Sequence, residues 1–357
     1  MMRLRLIAAA LASAALLAGS ARADLAGSLK RGPVQLKSAG ALAFGPENIL
    51  FVGDSAAATV FALGTGDSAV GDRNATLNVE GINAKIAELL GTTPSDITIN
   101  DMKVNPATGN VYLSVMRGKG TSAGAAIMRV DLSGKVTELD LKDIASAKVM
   151  LPNASEKQRA QTITSMAIVK DQLFVSGLSN EEFASTLRAI KFPFTEADKG
   201  TGIEIFHGAH GKLETASPIR TFTPFEINGE ANLLASYTCT PLVKIPVSDL
   251  KPGTKVHGVT VAELGNMNQP LDMVVYQKDG KTFVLMANTK HGVIKVDTTG
   301  IDKAEPITTR INGKAGLQYE SLKQYAGVVQ LDRLNDGMAL MLVKNGDSFN
   351  IKSIELP

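Results

Sequence analysis

The sequence predicts an all-β fold built from six copies of one strand pattern, and three observations support this prediction. Short runs rich in β-branched and aromatic residues recur along the whole chain. Turn residues, mainly Gly, Pro, Asn and Asp, separate these runs. The apolar first strands of the copies begin at intervals of 51 to 64 residues, a little above the usual 40 to 50 or so of a propeller blade; their anchor residues are Leu42, Met102, Met166, Phe222, Met273 and Val329.

Each copy has three strands, and with a more variable fourth they match the four-stranded blade of a β-propeller. In the fifth copy, residues 272–275, 283–288 and 293–297 are three strands separated by turns. More variable fourth strands follow in the first four copies, at residues 76–79, 136–139, 203–206 and 259–261. Residues 34–37 could supply the missing outer strand of the last copy and close the ring. We therefore predict one six-bladed β-propeller domain over residues 24–357, with seven blades as the alternative if residues 196–230 contain another.

Two insertions interrupt the repeats. Ile82, Ile86, Leu89 and Leu90 have helical spacing and stop at Gly91, which predicts a short amphipathic helix lying on the propeller. Residues 143–160 form a second, more polar excursion. We interpret both as packing decoration, with a lid as the alternative.

The N-terminus has the pattern of a signal peptide. Arg3 and Arg5 precede an apolar run over residues 6–17, which is too short to span a bilayer, and small residues follow at Ala21 and Ala23. Cleavage is expected before Asp24. We therefore predict a periplasmic or secreted protein with no membrane span.

Charge and cysteine content argue against a nucleic-acid-binding protein and against one stabilised by internal disulfides. Removing residues 1–23 takes three arginines and no acid, which moves the formal net charge from +2 to −1. No basic run and no interleaving of basic with aromatic residues is present, so no nucleic-acid partner is expected. The single cysteine, Cys239, excludes an internal disulfide.

One end of the predicted propeller gathers polar residues. In each blade, the loop entering the first strand and the loop joining the second and third strands open on the same face, around a central funnel, where propellers generally bind ligands. The predicted ligand-binding residues in these loops are Asp54, Asn100, Asp101, Ser165, Tyr237, Asp272 and Asn288.

Two of these residues, Asp101 and Asp272, occupy the same position in two copies, each directly before a Met. We expect them to face each other across the channel. Their carboxylates, with nearby amide oxygens, suit a hard cation such as calcium. The alternative is that each Asp caps backbone N–H groups where its strand begins.

A second, softer set of ligands is His207, His210 and Cys239. The two histidines end the outer strand of the third blade, and Cys239 lies in a loop of the fourth. Two imidazoles and one thiolate form a ligand set that copper or zinc accepts. Their spacing matches no recognised metal motif, and the alternative for Cys239 is a small buried hydrophobic residue.

The repeat scheme resembles the six-bladed propellers of the NHL, YVTN and gluconolactonase type over the whole mature chain. No family motif is matched residue for residue, so no catalytic residue is carried over. The resemblance implies a ligand site in the funnel, and in gluconolactonase-like members a central divalent metal. We therefore expect a propeller that binds a small molecule or a protein partner at its funnel face. The alternative is a metal-assisted hydrolase or lactonase that uses Asp101 and Asp272.

Overall fold

The computed structural model describes residues 25–357. The predicted signal peptide, residues 1–23, lies outside this range, and cleavage before Asp24 stays a prediction. Across the described residues, no helix is both long and apolar enough to cross a membrane.

The described chain is dominated by short strands, with a single α-helix, α1 (Ile82–Leu90), at the place that the apolar spacing predicts. Six 3₁₀ turns precede or connect the strands, at Ala26–Ser28, Pro46–Asn48, Pro94–Asp96, Gly120–Ser122, Arg159–Gln161 and Val247–Asp249. The strands, numbered in chain order, are β1 (Lys30–Gly32), β2 (Leu42–Phe44), β3 (Ile49–Asp54), β4 (Thr59–Gly64), β5 (Asn78–Val79), β6 (Ile97–Val104), β7 (Val111–Arg117), β8 (Gly124–Val130), β9 (Val136–Glu138), β10 (Ile144–Met150), β11 (Ser165–Val169), β12 (Gln172–Leu178), β13 (Ser185–Lys191), β14 (Thr201–His207), β15 (Lys212–Glu214), β16 (Ile219–Ile227), β17 (Glu230–Tyr237), β18 (Pro241–Pro246), β19 (Lys255–Leu264), β20 (Pro270–Lys278), β21 (Lys281–Asn288), β22 (Gly292–Asp297), β23 (Lys314–Gly316), β24 (Tyr319–Leu322), β25 (Val328–Arg333), β26 (Met338–Asn345) and β27 (Ser348–Glu355).

These strands form antiparallel units of four, written here from the innermost strand outward. Unit 1 is β2-β3-β4-β10, unit 2 is β6 to β9, unit 3 is β11 to β14, unit 4 is β16 to β19, unit 5 is β20-β21-β22-β24, and unit 6 is β25-β26-β27-β5. Strands β1, β15 and β23 add to the outer edges of units 1, 3 and 4. A parallel pairing of β14 with β19 joins units 3 and 4 into one larger sheet.

The innermost strands pack side by side in a closed ring, in the order β2, β6, β25, β20, β16, β11 and back to β2. A separate apolar core fills the space between each pair of neighbouring units. Radial sheets packed face to face around a central axis define a β-propeller, and closing the ring protects the inner strand edges.

The order of the units around the ring differs from their order along the chain. Unit 1 lies between units 2 and 3, and unit 2 packs against unit 6 through a shared core. The chain therefore builds unit 1, crosses to one side of it for unit 2, and returns to the other side for units 3 to 6.

This crossing corrects three predictions about outer strands. Residues 76–79 do not complete unit 1, because Asn78–Val79 pair with β27 of unit 6. The outer strand of unit 1 is instead β10, which lies inside the predicted excursion at 143–160. Residues 34–37 do not close the last unit, because they lie outside the strands and the nearby β1 pairs with β10. The other three predicted outer strands are confirmed as β9, β14 and β19.

The closure of unit 6 by β5 can be tested by a disulfide cross-link. Asn78 and Lys352 are exposed partners in the β5–β27 register, and directly paired antiparallel residues bring Cα atoms within disulfide range. In a Cys239→Ser background, the pair Asn78→Cys and Lys352→Cys should oxidise to a faster-migrating species on a nonreducing gel. The control pair, Asn78→Cys with Lys148→Cys on β10, should not form a disulfide. A disulfide in the control pair but not in the test pair would contradict this strand order.

Candidate functional site

The strand β6 carries two charged residues into the central channel. Side chains alternate along a strand, so Asp101 and Lys103 share one face while Met102 and Val104 share the other. Met102 and Val104 are buried in the core between units 2 and 6. The channel therefore receives an acid and a base from one strand.

Lys103 is the cation at the centre of the channel. Its Nζ lies 3.4 Å from Asp272 Oδ2 and 3.7 Å from Asp101 Oδ1, and its side chain is only 20% exposed. Burial opposes the positive charge, but the carboxylates of Asp101, Asp272 and Asp332 raise the pKa of Lys103 above its usual value. The ammonium is therefore held in its charged form among three acids.

The three carboxylates also fasten neighbouring units together. Each accepts a hydrogen bond from a backbone N–H on the innermost strand of the adjacent unit: Asp101 Oδ2 from Leu42 at 2.7 Å, Asp332 Oδ2 from Val104 at 2.7 Å, and Asp272 Oδ2 from Leu331 at 3.0 Å. These hydrogen bonds satisfy backbone N–H groups at the inner edges of the sheets, where no further strand is present to accept them.

Asp101 and Asp272 also cap their own strands. Their Oδ1 atoms accept the N–H of Met102 at 2.8 Å and of Met273 at 2.9 Å. This is the capping arrangement that the sequence allowed as the alternative to a calcium site. Burial raises the pKa of Asp101 to about 6, although the positive charge of Lys103 opposes the shift. Burial likewise raises the pKa of Asp332.

The expectation that Asp101 and Asp272 face each other across the channel is wrong. With units ordered as they are, units 2 and 5 both flank unit 6. The two carboxylates therefore converge on Lys103 from two sides of unit 6, and the ammonium lies where a metal ion was expected.

Above this ion cluster lies a cavity of about 520 Å³. Four of the seven predicted ligand-binding residues line it: Asn100, Asp101, Ser165 and Asp272. Its wall also includes side chains that were not predicted, among them Lys103, Arg159, Gln161, Arg220 and Gln330. A second cavity, of about 470 Å³, shares Lys103, Ser165 and Asp272. The ion cluster therefore separates two spaces along the channel.

Irregular pairing shapes the wall of the larger cavity. The strand register shifts at Asn100 in unit 2, at Arg220 in unit 4 and at Leu271 in unit 5, and all three residues line the cavity. An extra residue in one strand leaves the ladder and redirects its side chain. The same irregularity, repeated in three units, thus supplies three lining residues.

Two arginines give this cavity free positive charge. Within residues 25–357, neither Arg159 nor Arg220 makes an ion pair. Arg220 is exposed and Arg159 is partly exposed. Their guanidinium groups are therefore available to a ligand that enters the cavity.

The other three predicted ligand-binding residues do not line the cavity. Asp54 is fully buried, and its carboxylate accepts backbone N–H groups of Lys37, Ser38 and Ala57. Tyr237 is buried in the core between units 3 and 4. Asn288 is buried, and its Oδ1 accepts a hydrogen bond from Asn268 at 2.8 Å. Their positions in the loops suggested that they bind ligand, but all three are buried and stabilise the units through packing and hydrogen bonds.

The structure brings the second predicted set together, away from the cavity. A ring nitrogen of His207, a ring nitrogen of His210 and the sulfur of Cys239 lie within 4.8 Å of one another. Glu214, which the sequence analysis missed, accepts hydrogen bonds from both histidines.

Of the cavity residues that were not predicted, Lys103 could have been found from the sequence, because it is a charged residue that interrupts an apolar innermost strand. The sequence around Arg159 and Arg220 has no comparable feature.

No family model matches the chain, and no curated protein matches it. Among solved structures, it is similar to the PQQ-bound aldose sugar dehydrogenase of Streptomyces coelicolor, with 12% identity over 92% of this chain and 97% of that one at a TM-score of 0.35. A streptogramin B lyase is 9% identical over 92% and 97%, also at a TM-score of 0.35. YCF48 bound to a D1 peptide is 8% identical over 88% and 79%, at a TM-score of 0.33. At such TM-scores these similarities add nothing to the description of the site, which rests on the strand pairing and side-chain geometry.

Proposed function

We propose that residues 24–357 are one six-bladed β-propeller domain that binds a small polar ligand carrying an anionic group in its central cavity. The six units, each sharing a core with two neighbours, support the blade count. The ligand proposal rests on Arg159 and Arg220, which line the cavity and have no ion-pair partner in the part of the chain that the structure describes, whereas the charges at the base of the cavity are paired.

The arginines suit an anion because a guanidinium presents a planar fork of donors to a carboxylate or phosphate. Two amides beside them are held in place. Asn100 Nδ2 donates to the carbonyl of Ala39 at 2.7 Å, and Gln330 Nε2 donates to the carbonyl of Asn100 at 3.0 Å. Their side-chain carbonyls remain as acceptors, so hydroxyl groups elsewhere on the ligand could be bound without rearranging the wall.

The size of the cavity favours a small molecule over a protein partner. Its volume of about 520 Å³ lies in the range of roughly 300–1,000 Å³ typical of small-molecule sites. The charged residues that line it, three bases and two acids, leave a modest positive excess for an anionic ligand.

A metal-assisted hydrolase or lactonase that uses Asp101 and Asp272 is the weaker candidate. Both carboxylates already accept two backbone N–H groups each, and both lie near the Lys103 ammonium. A divalent cation between them would be repelled by that ammonium and would compete with these hydrogen bonds.

The binding proposal is tested with a panel of mono- and dicarboxylates, phosphate monoesters and uncharged polyols, measured by calorimetry on the purified protein. We expect at least one anion to bind, and Arg220→Ala and Arg159→Ala each to weaken it roughly 10- to 100-fold, because a hydrogen bond to a charged group contributes about 1.5–3 kcal/mol. The control is Arg73→Ala, an exposed arginine outside this cavity, which should bind like wild type. Binding confined to the polyols, or unchanged in both cavity variants, would refute the proposal.

A further inference from the structure

A cluster of metal-ligating side chains lies on the outer part of units 3 and 4. His207 ends β14, His210 follows in the next turn, and Cys239 lies in the turn between β17 and β18. Their ligating atoms lie within 4.8 Å of one another. His207 is buried, Cys239 is partly buried and His210 is about half exposed. The cluster is therefore closed on one side and open to solvent on the other.

Glu214 fixes the orientation of both imidazoles. Its Oε2 lies 3.0 Å from His207 Nδ1, and its Oε1 lies 2.6 Å from His210 Nδ1. A carboxylate accepts hydrogen bonds, so each Nδ1 carries a proton, and in the neutral form of each ring Nε2 presents a lone pair. One carboxylate that orients two imidazoles in this way is the usual support for histidine metal ligands.

The Nε2 of His207 has no donor among the described residues. Its neighbour is Thr240 Oγ1, at 3.3 Å. The Thr240 hydroxyl has one proton, and it donates that proton in a short hydrogen bond to Glu263 Oε2. In a neutral imidazole held by Glu214, the Nε2 lone pair is therefore buried and unpaired, which is costly unless an electrophile occupies the site.

The turn that carries Cys239 fixes the position of its sulfur. Burial raises the pKa of the Cys239 thiol, and the backbone N–H of Met267, which donates to the sulfur, opposes this shift. The Cys239 backbone has a φ of 100°, a conformation that side-chain-bearing residues rarely adopt. The turn therefore holds the thiol in place at a conformational cost.

We propose that His207, His210 and Cys239 bind a late first-row transition-metal ion of the Zn²⁺ class, through the two Nε2 atoms and the thiolate. Three protein ligands leave a fourth tetrahedral position open to water or a ligand. Bond lengths near 2.0–2.3 Å place tetrahedral ligands about 3.3–3.8 Å apart. The ligating atoms lie within 4.8 Å of one another without the ion, so binding requires them to approach by about 1 Å.

The test uses the full protein, freed of metal with a chelator and titrated with Co²⁺ and then with Zn²⁺ against a chromophoric competitor. We expect one equivalent of each, with a thiolate-to-cobalt charge-transfer band in the near ultraviolet. Cys239→Ser should abolish that band, and His210→Ala should weaken Zn²⁺ binding at least tenfold. Glu214→Gln should weaken it about 10- to 100-fold, as expected of a group that orients the ligands.

The chain offers a matched control in His257, an exposed histidine whose Nδ1 lies 2.6 Å from Glu204. His257→Ala removes a second histidine–carboxylate pair that has no cysteine beside it, and binding should be unchanged. Circular dichroism checks that each variant is folded. Absence of stoichiometric Co²⁺ binding by the wild type, or a cobalt spectrum without the thiolate band, overturns the proposal and leaves the cluster as a hydrogen-bonded network around Glu214.

Discussion

Replacing Lys103 with methionine is expected to destabilise the folded protein by about 3–5 kcal/mol at pH 7.5, because removing one partner of a buried ion pair leaves uncompensated charge. Lys103 forms ion pairs with both Asp101 and Asp272, and it also interacts electrostatically with Asp332. Methionine preserves much of the length and volume of the lysine stem, so the effect isolates the charge. Urea unfolding, followed by circular dichroism, measures it.

The loss of stability in Lys103→Met should increase with pH. The pKa of Asp101, about 6 in the folded protein, lies above its ordinary value of 3.8. A carboxyl with a raised pKa contributes stability that is fully present below its ordinary pKa and is lost as the pH rises through about 6. Without Lys103 that pKa rises further, so the deficit of Lys103→Met should be largest above pH 6 and smaller at pH 5.

The matched control for this experiment is Lys281→Met. Lys281 is exposed, and its Nζ lies 4.0 Å from the carboxylate of the partly exposed Asp297. Its loss should change stability by no more than about 0.5 kcal/mol. A deficit for Lys103→Met that is equally small, or that does not shrink between pH 7.5 and pH 5, would show that the ion cluster does not hold the channel together as described.

The second large effect is expected at Asp67, where Asp67→Ala should cost about 2–4 kcal/mol in the free energy of unfolding. Its buried carboxylate accepts hydrogen bonds from the side chains of four residues of unit 2: Asn105, Thr108, Asn110 and Tyr112. Removing the acceptor leaves several buried donors unpaired, at about 1–3 kcal/mol for each one that water cannot reach.

Asp67 lies on the segment that carries the chain from β4 of unit 1 to β5 of unit 6. This crossing segment passes over the β6–β7 turn so closely that a Cβ on Gly71 would lie 2.0 Å from the carbonyl oxygen of Thr108. Asp67 thus secures the connection that sets the order of the units around the ring.

Urea unfolding of Asp67→Ala should therefore show a lower midpoint than wild type. Asp72→Ala on the same segment is the control, because Asp72 is exposed and, among residues 25–357, its carboxylate accepts only the local N–H of Asn74. This variant should lie within about 0.5 kcal/mol of wild type. Equal stability of the two variants would mean that the crossing segment is not fastened through Asp67.

Local chemistry was sufficient to predict the individual elements. The apolar runs and turn residues predicted most of the strands, and the spacing of Ile82 and Ile86 predicted α1. The repeat position of Asp101 and Asp272 predicted that both side chains would reach the channel. These features depend on neighbours within one hairpin or one helical turn, and the sequence records such neighbours directly.

The tertiary structure alone decided how the elements combine. Outer strands are short and weakly patterned, so the pairing of β5 with β27 and of β10 with β4 is set by the path of the crossing segment. Because of that path, unit 2 packs beside unit 6, and the carboxylates of Asp101 and Asp272 both lie within ion-pair distance of Lys103. The register shift that exposes Arg220 to the cavity, and the sharing of Glu214 by two histidines, likewise arise from contacts between distant segments. Such contacts depend on which segments pack together in space, and no local pattern of residues specifies that packing.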